Sequence, residues 1–154
     1  MKVISWNIRG LNSRSKQQYL KGRLKLEKPQ VIMLQETKVS SQKLETILRS
    51  FKPNFEVMAI DSRGMTGGIT IIWNPNKMTV EGWMGLPRIL TGCFRQVGTK
   101  ERLLISAVYE PPILGEREVF LQSIRNLSNP HQEKFWLLGG DFNMILNLTE
   151  KKVE

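Results

Sequence analysis

The sequence contains one cysteine, one histidine and no long hydrophobic run, and each shortage excludes a class of protein. A lone cysteine, Cys93, cannot form a disulfide within the chain, which favours a reducing compartment. A lone histidine cannot build an ordinary structural zinc site, which takes clustered Cys and His ligands. No run approaches the roughly 20 apolar residues of a membrane-spanning helix, and no secretory leader is recognisable. We therefore expect a nuclear or cytoplasmic protein.

Acidic residues are also scarce. Only 14 Asp and Glu stand against 23 Lys and Arg, so the formal net charge is +9. Such an excess favours a polyanionic partner, because basic side chains gain affinity by displacing counterions from phosphates. The basic residues are spread along the chain, so an ordinary basic surface is the alternative.

The hydrophobic pattern predicts a single mixed α/β domain over residues 1–154. The predicted helices are 15–26, 40–51 and 116–127. We expect the first helix to bury Tyr19, Leu20, Leu24 and Leu26, and the third to bury Val119, Phe120, Ile124 and Leu127. The apolar runs 31–34 and 135–138 predict strands buried on both faces. The other predicted strands are 2–8, 55–60, 68–73, 78–83, 89–97 and 103–109.

Polar side chains occur where three of the predicted buried strands end: Asn7, Glu36, and Asp141 with Asn143. Rigid strands of α/β proteins aim such residues at a shared crevice. Oxygen ligands of this type suit Mg²⁺, which takes one or two carboxylates, several waters and substrate phosphates. Gly139-Gly140 predicts a sharp turn before Asp141. No phosphate-binding P-loop motif is present, which disfavours a P-loop nucleotide hydrolase.

Five motifs follow one another along the chain: Ser5-Trp6-Asn7-Ile8-Arg9-Gly10, Leu34-Gln35-Glu36-Thr37-Lys38, Gly67-Gly68-Ile69 with Ile72-Trp73, Val108-Tyr109-Glu110-Pro111-Pro112 and Leu138-Gly139-Gly140-Asp141-Phe142-Asn143. In this order they resemble the endonuclease/exonuclease/phosphatase superfamily. More narrowly, they resemble the endonuclease domain of LINE-type, non-LTR retrotransposons common in plant genomes. The resemblance implies a layered α/β sandwich and a Mg²⁺-dependent nicking activity on DNA, with Mn²⁺ as a possible substitute.

The resemblance also implies a role for each matching residue. Asn7 would help to orient metal and phosphate, and Glu36 would be the principal Mg²⁺ ligand. Tyr109 would contact the scissile phosphate, Asp141 would activate or orient the attacking water, and Asn143 would stabilise charge on the phosphorus centre. Four basic residues beside the motif loops would contact DNA phosphates: Arg9, Arg14, Lys16 and Lys38.

The sequence departs from the family after the Asp141 motif. Members of the family continue with a further Asp and a Ser-Asp-His type motif, whose His is required for catalysis. The only histidine here, His131, precedes Asp141 and does not match that motif. We therefore expect a carboxyl-terminally truncated domain with the second half of the fold incomplete, weak or no activity, and poor stability from unpaired sheet edges.

Structural explanations remain open for each candidate residue. Asn7 can cap a strand end, Glu36 can form a surface ion pair with a lysine, and Tyr109 can serve packing alone. Asp141 and Asn143 can bond their own backbone, as such residues do in turns. A non-catalytic nucleic-acid-binding remnant and a phosphatase or phospholipase of the same superfamily are the alternative functions.

Overall fold

The computed structural model describes residues 1–61, 67–110, 114–128 and 135–144. It contains eight strands and three α-helices within these ranges: β1 (Val3–Asn7), α1 (Arg14–Glu27), β2 (Val31–Gln35), α2 (Ser41–Arg49), β3 (Glu56–Ile60), β4 (Ile69–Trp73), β5 (Met78–Leu86), β6 (Ile89–Gln96), β7 (Arg102–Tyr109), α3 (Arg117–Ser128) and β8 (Trp136–Asp141). A short 3-10 turn (Leu114–Glu116) precedes α3. The predicted element order and the mixed α/β class are confirmed.

The strands form two four-stranded sheets, in the orders β1-β2-β4-β3 and β5-β6-β7-β8. We call them sheet A and sheet B. Each sheet contains one parallel pair, β1 with β2 and β7 with β8, and its other neighbouring strands are antiparallel. Each parallel pair is joined through a helix, α1 or α3, because parallel strands need a long crossover connection.

Among the described residues, three apolar clusters hold these layers together. The first lies between the sheets and includes Met33, Ile71, Phe94 and Ile105. The second joins the outer face of sheet A to α1 and α2, and the third joins sheet B to α3. The order of layers is therefore helix, sheet, sheet, helix, the layered α/β sandwich that the sequence predicts.

Some predicted burial is wrong. In α1 only Leu20 and Leu24 are buried, whereas Tyr19 and Leu26 are 59% and 71% exposed. Residues spaced four apart lie on one helix face, and a helix covered on one side buries only that face. Val119 of α3 is likewise 70% exposed.

The strand before the Asp141 motif also differs from its prediction. β8 is partly exposed along its whole length, because among the described strands it lies at the end of sheet B and pairs with β7 on one side only. Gly139 and Gly140 continue this strand, so the predicted turn before Asp141 is wrong and the chain leaves the sheet after it. Gly140 has φ of +150°, and a side chain there would collide with the main chain of Val108.

Candidate active site

The two parallel strand pairs bring four of the predicted site residues to one end of the molecule. Asn7 is the last residue of β1, and Glu36 follows the last residue of β2. Tyr109 and Asp141 end β7 and β8, and are paired in register. Since the carboxyl ends of parallel strands share an edge, sheet A contributes Asn7 and Glu36 while sheet B contributes Tyr109 and Asp141.

The side-chain amide of Asn7 links carboxylates that come from the two sheets. Asn7 Nδ2 donates to Glu36 Oε1 at 2.8 Å and to Asp141 Oδ2 at 2.7 Å. Asn7 Oδ1 in turn accepts from the main-chain N–H of Arg9 at 3.2 Å. These three bonds fix the orientation of the amide, because its nitrogen only donates and its oxygen only accepts. Two carboxylates from different sheets are thereby held on either side of one neutral donor.

The backbone around Glu36 is strongly constrained. Glu36 has φ of +52°, a left-handed conformation that costs a non-glycine residue about 1–3 kcal/mol. Its main-chain oxygen accepts from Gly10 N at 2.6 Å. Gly67 lies so close that a Cβ on it would be 2.5 Å from Glu36 Cα. The surrounding loops therefore hold the strained backbone of Glu36 in place and fix the position of its carboxylate. Functional sites often contain such strain.

The charged state of Glu36 follows from its neighbours. Burial raises the pKa of Glu36, but hydrogen bonds from Asn7, Lys38 and Tyr109 and the charge of Lys38 outweigh burial, and the net pKa lies below its ordinary value of 4.5. Lys38 Nζ is 3.3 Å from Glu36 Oε2. Glu36 is consequently ionised at neutral pH, and the oxygen that Asn7 leaves open already has a cation beside it.

The pKa of Tyr109 is shifted in the opposite direction, upwards. Burial, then the charge and hydrogen bond of Glu36 and the charge of Asp141, raise the pKa of Tyr109 above its ordinary value of 10.0, while Arg88 partly offsets them. Tyr109 therefore keeps its hydroxyl proton at neutral pH. It can donate a hydrogen bond without adding negative charge to a site that already contains two carboxylates.

Asn143 lies beside Asp141. Its main-chain N–H donates to Asp141 Oδ1 at 2.9 Å, so the predicted turn interaction is present. Its side-chain Nδ2 donates to the main-chain oxygen of Glu110. The structural explanations left open for Glu36 and for the Asp141–Asn143 turn are thus also realised, since the Lys38 ion pair and the turn bond coexist with the convergence of the site residues.

The four predicted phosphate-binding residues differ in their surroundings. Arg9 and Arg14 are exposed. Lys16 Nζ donates to the main-chain oxygens of Ile8 and Arg9 and so braces the loop after β1. Lys38 is paired with Glu36, as described above. His131 lies outside the described residues.

The sequence analysis did not predict two residues that lie beside the site. Glu110 follows Tyr109, is 1% exposed, and has Arg117 Nε 3.6 Å from its Oε1. The signal was available, because Glu110 comes directly after a buried apolar strand, which is the pattern that identified Glu36. No sequence pattern identifies Arg117, because its distance from Glu110 depends on where α3 begins.

Known proteins share the sequence pattern and the fold of this chain. The sequence matches the model of the Endonuclease/Exonuclease/phosphatase family over residues 4–152. The fold is similar to that of D. rerio TDP2 humanized by 14 mutations, with a TM-score of 0.75, 16% identity, and coverage of 94% of this chain and 63% of that chain. The human Nocturnin catalytic domain with bound sulfate gives a TM-score of 0.74, 12% identity, and coverage of 94% and 64%.

A Bacteroides thetaiotaomicron mannosyl-6-phosphatase has a TM-score of 0.70 at 14% identity, with 93% of this chain and 65% of that chain covered. Comparison with curated protein sequences finds no significant match. At such low identities the structural likeness shows the fold alone, and the chain spans less than two thirds of the length of each of these three relatives.

Proposed function

The chain belongs to the endonuclease/exonuclease/phosphatase family, and from this we propose that it forms part of a Mg²⁺-dependent phosphodiesterase that nicks DNA, of the LINE-type retrotransposon class. The observation that carries the proposal is the amide of Asn7, which binds Glu36 and Asp141 at 2.8 and 2.7 Å. That contact supports a shared phosphodiester site, because it gathers carboxylates from both sheets at one point beside the Tyr109 hydroxyl.

Divalent metals are common in this family, and the donors present suit one. Within the described ranges there is no group of three or more His, Cys, Asp or Glu side chains placed to hold a metal. Mg²⁺ does not need such a group, since it binds through one or two carboxylates and completes its shell with water and phosphate oxygens. Glu36 would hold it and Asn7 would help to orient it, and the ammonium of Lys38 beside Glu36 marks a position that favours positive charge. When bound, Mg²⁺ supplies a Lewis acid for a phosphate oxygen.

The side chains would perform the remaining tasks of in-line phosphodiester cleavage. Asp141, with both carboxylate oxygens fixed by Asn7 and by the main chain of Asn143, would orient the attacking water. Tyr109 and Asn143 would donate hydrogen bonds to the non-bridging oxygens. Donors of this kind stabilise developing charge most when they are positioned in advance.

DNA would approach over the basic loops around this end of the molecule. Single-stranded DNA product is bound in a structure of D. rerio TDP2, whose fold is similar with a TM-score of 0.72 at 18% identity. In this chain we assign phosphate contacts to Arg9, Arg14, Lys16 and Lys38. Lys38 would move from Glu36 to a phosphate once another cation neutralises that carboxylate.

We further propose that these 154 residues by themselves nick DNA only weakly. The family resemblance implies a catalytic His paired with a carboxylate, and His131 does not match it. The solved relatives are also longer than the part that this chain covers. We therefore assign the 154-residue chain, treated as one domain, weak nicking at most.

A plasmid-nicking assay with Mg²⁺ tests the proposal by comparing this chain with Glu36→Ala and with Glu45→Ala as a matched control on α2. We expect slow nicking that Glu36→Ala abolishes and Glu45→Ala preserves. Equal background cleavage by all three proteins would refute the nuclease assignment for this chain.

The net charge of +9 favours a second candidate, a non-catalytic nucleic-acid-binding remnant. Its signature is DNA binding that weakens with salt and is accompanied by no cleavage in the same assay. Turnover of a phosphomonoester or phospholipid, with none of DNA, would instead support a phosphatase or phospholipase.

A further inference from the structure

Glu110 is a buried carboxylate next to the site that the proposed chemistry does not use. Only 1% of its surface is exposed. Its Oε1 lies 3.6 Å from Arg117 Nε, and its Oε2 has no hydrogen-bond partner among the described residues. Burying a carboxylate costs several kcal/mol unless it is well paired. An apolar side chain would fill the same space more favourably, so packing does not explain this residue.

The main chain of Glu110 connects the ends of β7 and β8. Glu110 N donates to the main-chain oxygen of Asp141 at 2.9 Å. Glu110 O accepts from the side-chain Nδ2 of Asn143. The peptide groups of Glu110 therefore hold the backbone of one site residue and the side chain of another.

Arg117, the first residue of α3, closes the arrangement. Its Nη2 donates to the main-chain oxygen of Asn143 at 3.4 Å, while its Nε lies 3.6 Å from Glu110 Oε1, an ion pair without a hydrogen bond. Asn143 has φ of +45°, a left-handed conformation that asparagine adopts more readily than other non-glycine residues. Arg117 can steady this turn, because a guanidinium presents several donors in a rigid fork and can lie against two groups at once.

We propose that Glu110 and Arg117 are positioning residues that form a clamp on Asn143 and fix its side-chain amide beside Asp141. This rests on the proposed function, in which that amide donates to the phosphate. One amide proton is held by Glu110 O, so the second is left in a defined direction for substrate. The Glu110 carboxylate balances the charge of Arg117 and keeps its guanidinium on the protein.

NMR of the ¹⁵N-labelled chain tests the clamp without relying on cleavage. The side-chain amide of Asn143, assigned by its loss in Asn143→Asp, is followed in Arg117→Met and in Glu110→Gln. We expect its hydrogen exchange to quicken up to about tenfold in Arg117→Met, because losing one hydrogen bond to the Asn143 main-chain oxygen loosens the turn that holds the amide against Glu110 O. Glu110→Gln, which removes the charge that holds Arg117, gives a smaller acceleration in the same direction.

Two further variants separate positioning from general destabilisation. Glu118→Gln on the exposed side of α3 should leave the Asn143 amide unchanged. Arg117→Lys keeps the charge but lacks the fork, so it should preserve the melting temperature yet still release the amide. An unchanged exchange rate in both Arg117 variants would overturn the clamp, whether or not the chain nicks DNA. Failure of nicking with a released amide would instead refute the proposed function and leave the clamp standing.

Discussion

Gly67 shows how closely the backbone is packed around the principal carboxylate. A Cβ on this residue would be 2.5 Å from Glu36 Cα and 2.9 Å from Glu36 Cβ. The nearer atom, Glu36 Cα, belongs to the main chain and cannot rotate away, so the backbone of one of the two loops must shift. We predict that Gly67→Ala lowers the free energy of unfolding by about 1–3 kcal/mol, the usual cost of overpacking. Chemical denaturation of both proteins measures this difference.

Gly22 provides the matched control for that substitution. It lies in the exposed part of α1, with nothing within 4 Å of the position of an added Cβ. Gly22→Ala should raise the free energy of unfolding by about 1 kcal/mol, because alanine is the better helix former. Equal effects of the two substitutions would contradict the close contact between Gly67 and Glu36.

Tyr109 provides a pH-dependent test of the site. The chain has two tyrosines, so Tyr19→Phe leaves Tyr109 as the only phenol. Because its pKa is raised above 10.0 by burial and by Glu36, we predict that ultraviolet titration of Tyr19→Phe gives a midpoint above 10.0. In guanidinium chloride the midpoint should return to the ordinary value.

The sign of the associated stability change follows from linkage. The folded state holds the Tyr109 proton more tightly than the unfolded state does. Its contribution is therefore complete below pH 10.0, the ordinary pKa, and is lost as the pH rises through the raised folded value. A native midpoint at or below that of the denatured protein would rule out the buried position of Tyr109 beside Glu36.

The sequence identified individual site residues wherever a polar side chain interrupts an apolar strand. Asn7, Glu36 and Asp141 stand out in this way, and the structure brings them within hydrogen-bond distance. The same rule would have found Glu110. It could not have found the contact between Gly67 and Glu36 or the bond from Arg117 to Asn143, because these depend on how separate loops meet and leave no trace in local sequence.

The amino terminus of helix α2 is capped partly by a residue from outside the helix. Asp61, which follows β3, accepts from Ser41 N at 2.8 Å, and the N-cap Ser40 accepts from Lys43 N. The first turn of α2 contains no acidic residue of its own, so Asp61 supplies the negative charge that a helix start favours.

We therefore predict that Asp61→Ala lowers the free energy of unfolding by about 1 kcal/mol, the usual loss for a helix cap. Asp61→Asn keeps one acceptor oxygen and should recover more than half of that loss. Urea denaturation followed by circular dichroism provides the measurement. An unchanged midpoint in Asp61→Ala would mean that Ser40 alone caps α2.

The positions of helices and strands were easier to predict from the sequence than which of their residues are exposed. Hydrophobic period and turn residues locate each α-helix and strand of the described residues to within a few residues. They do not say how many neighbours an element has. Leu26 fits the apolar pattern of α1 and is nevertheless 71% exposed, since only one sheet packs against that helix. Trp136 belongs to an apolar run that resembles a buried strand, yet β8 is partly exposed because it ends a sheet.

On one side of the molecule, which we call the flank, each sheet ends in a strand whose outer edge is unpaired among the described residues. β1 and β8 are the terminal strands of sheets A and B, and the bond from Asn7 to Asp141 shows that they lie one above the other. Within the ranges described, no strand pairs with the outer edge of either. Unpaired edges present backbone donors and acceptors to other chains and favour edge-to-edge association. The net charge of +9 opposes that association, so the balance between the two depends on salt.

We predict that the chain is monomeric in dilute buffer and self-associates as salt increases. Charge repulsion is screened over about 10 Å at 0.1 M salt and over about 3 Å at 1 M, while the short-range hydrogen bonds between edges persist. Analytical ultracentrifugation across this range should show a rising sedimentation coefficient. DNA affinity must change in the opposite direction, because counterion release weakens it with salt. A single monomeric species throughout, with one cooperative melt, would show that the flank formed by β1 and β8 is protected within the chain itself.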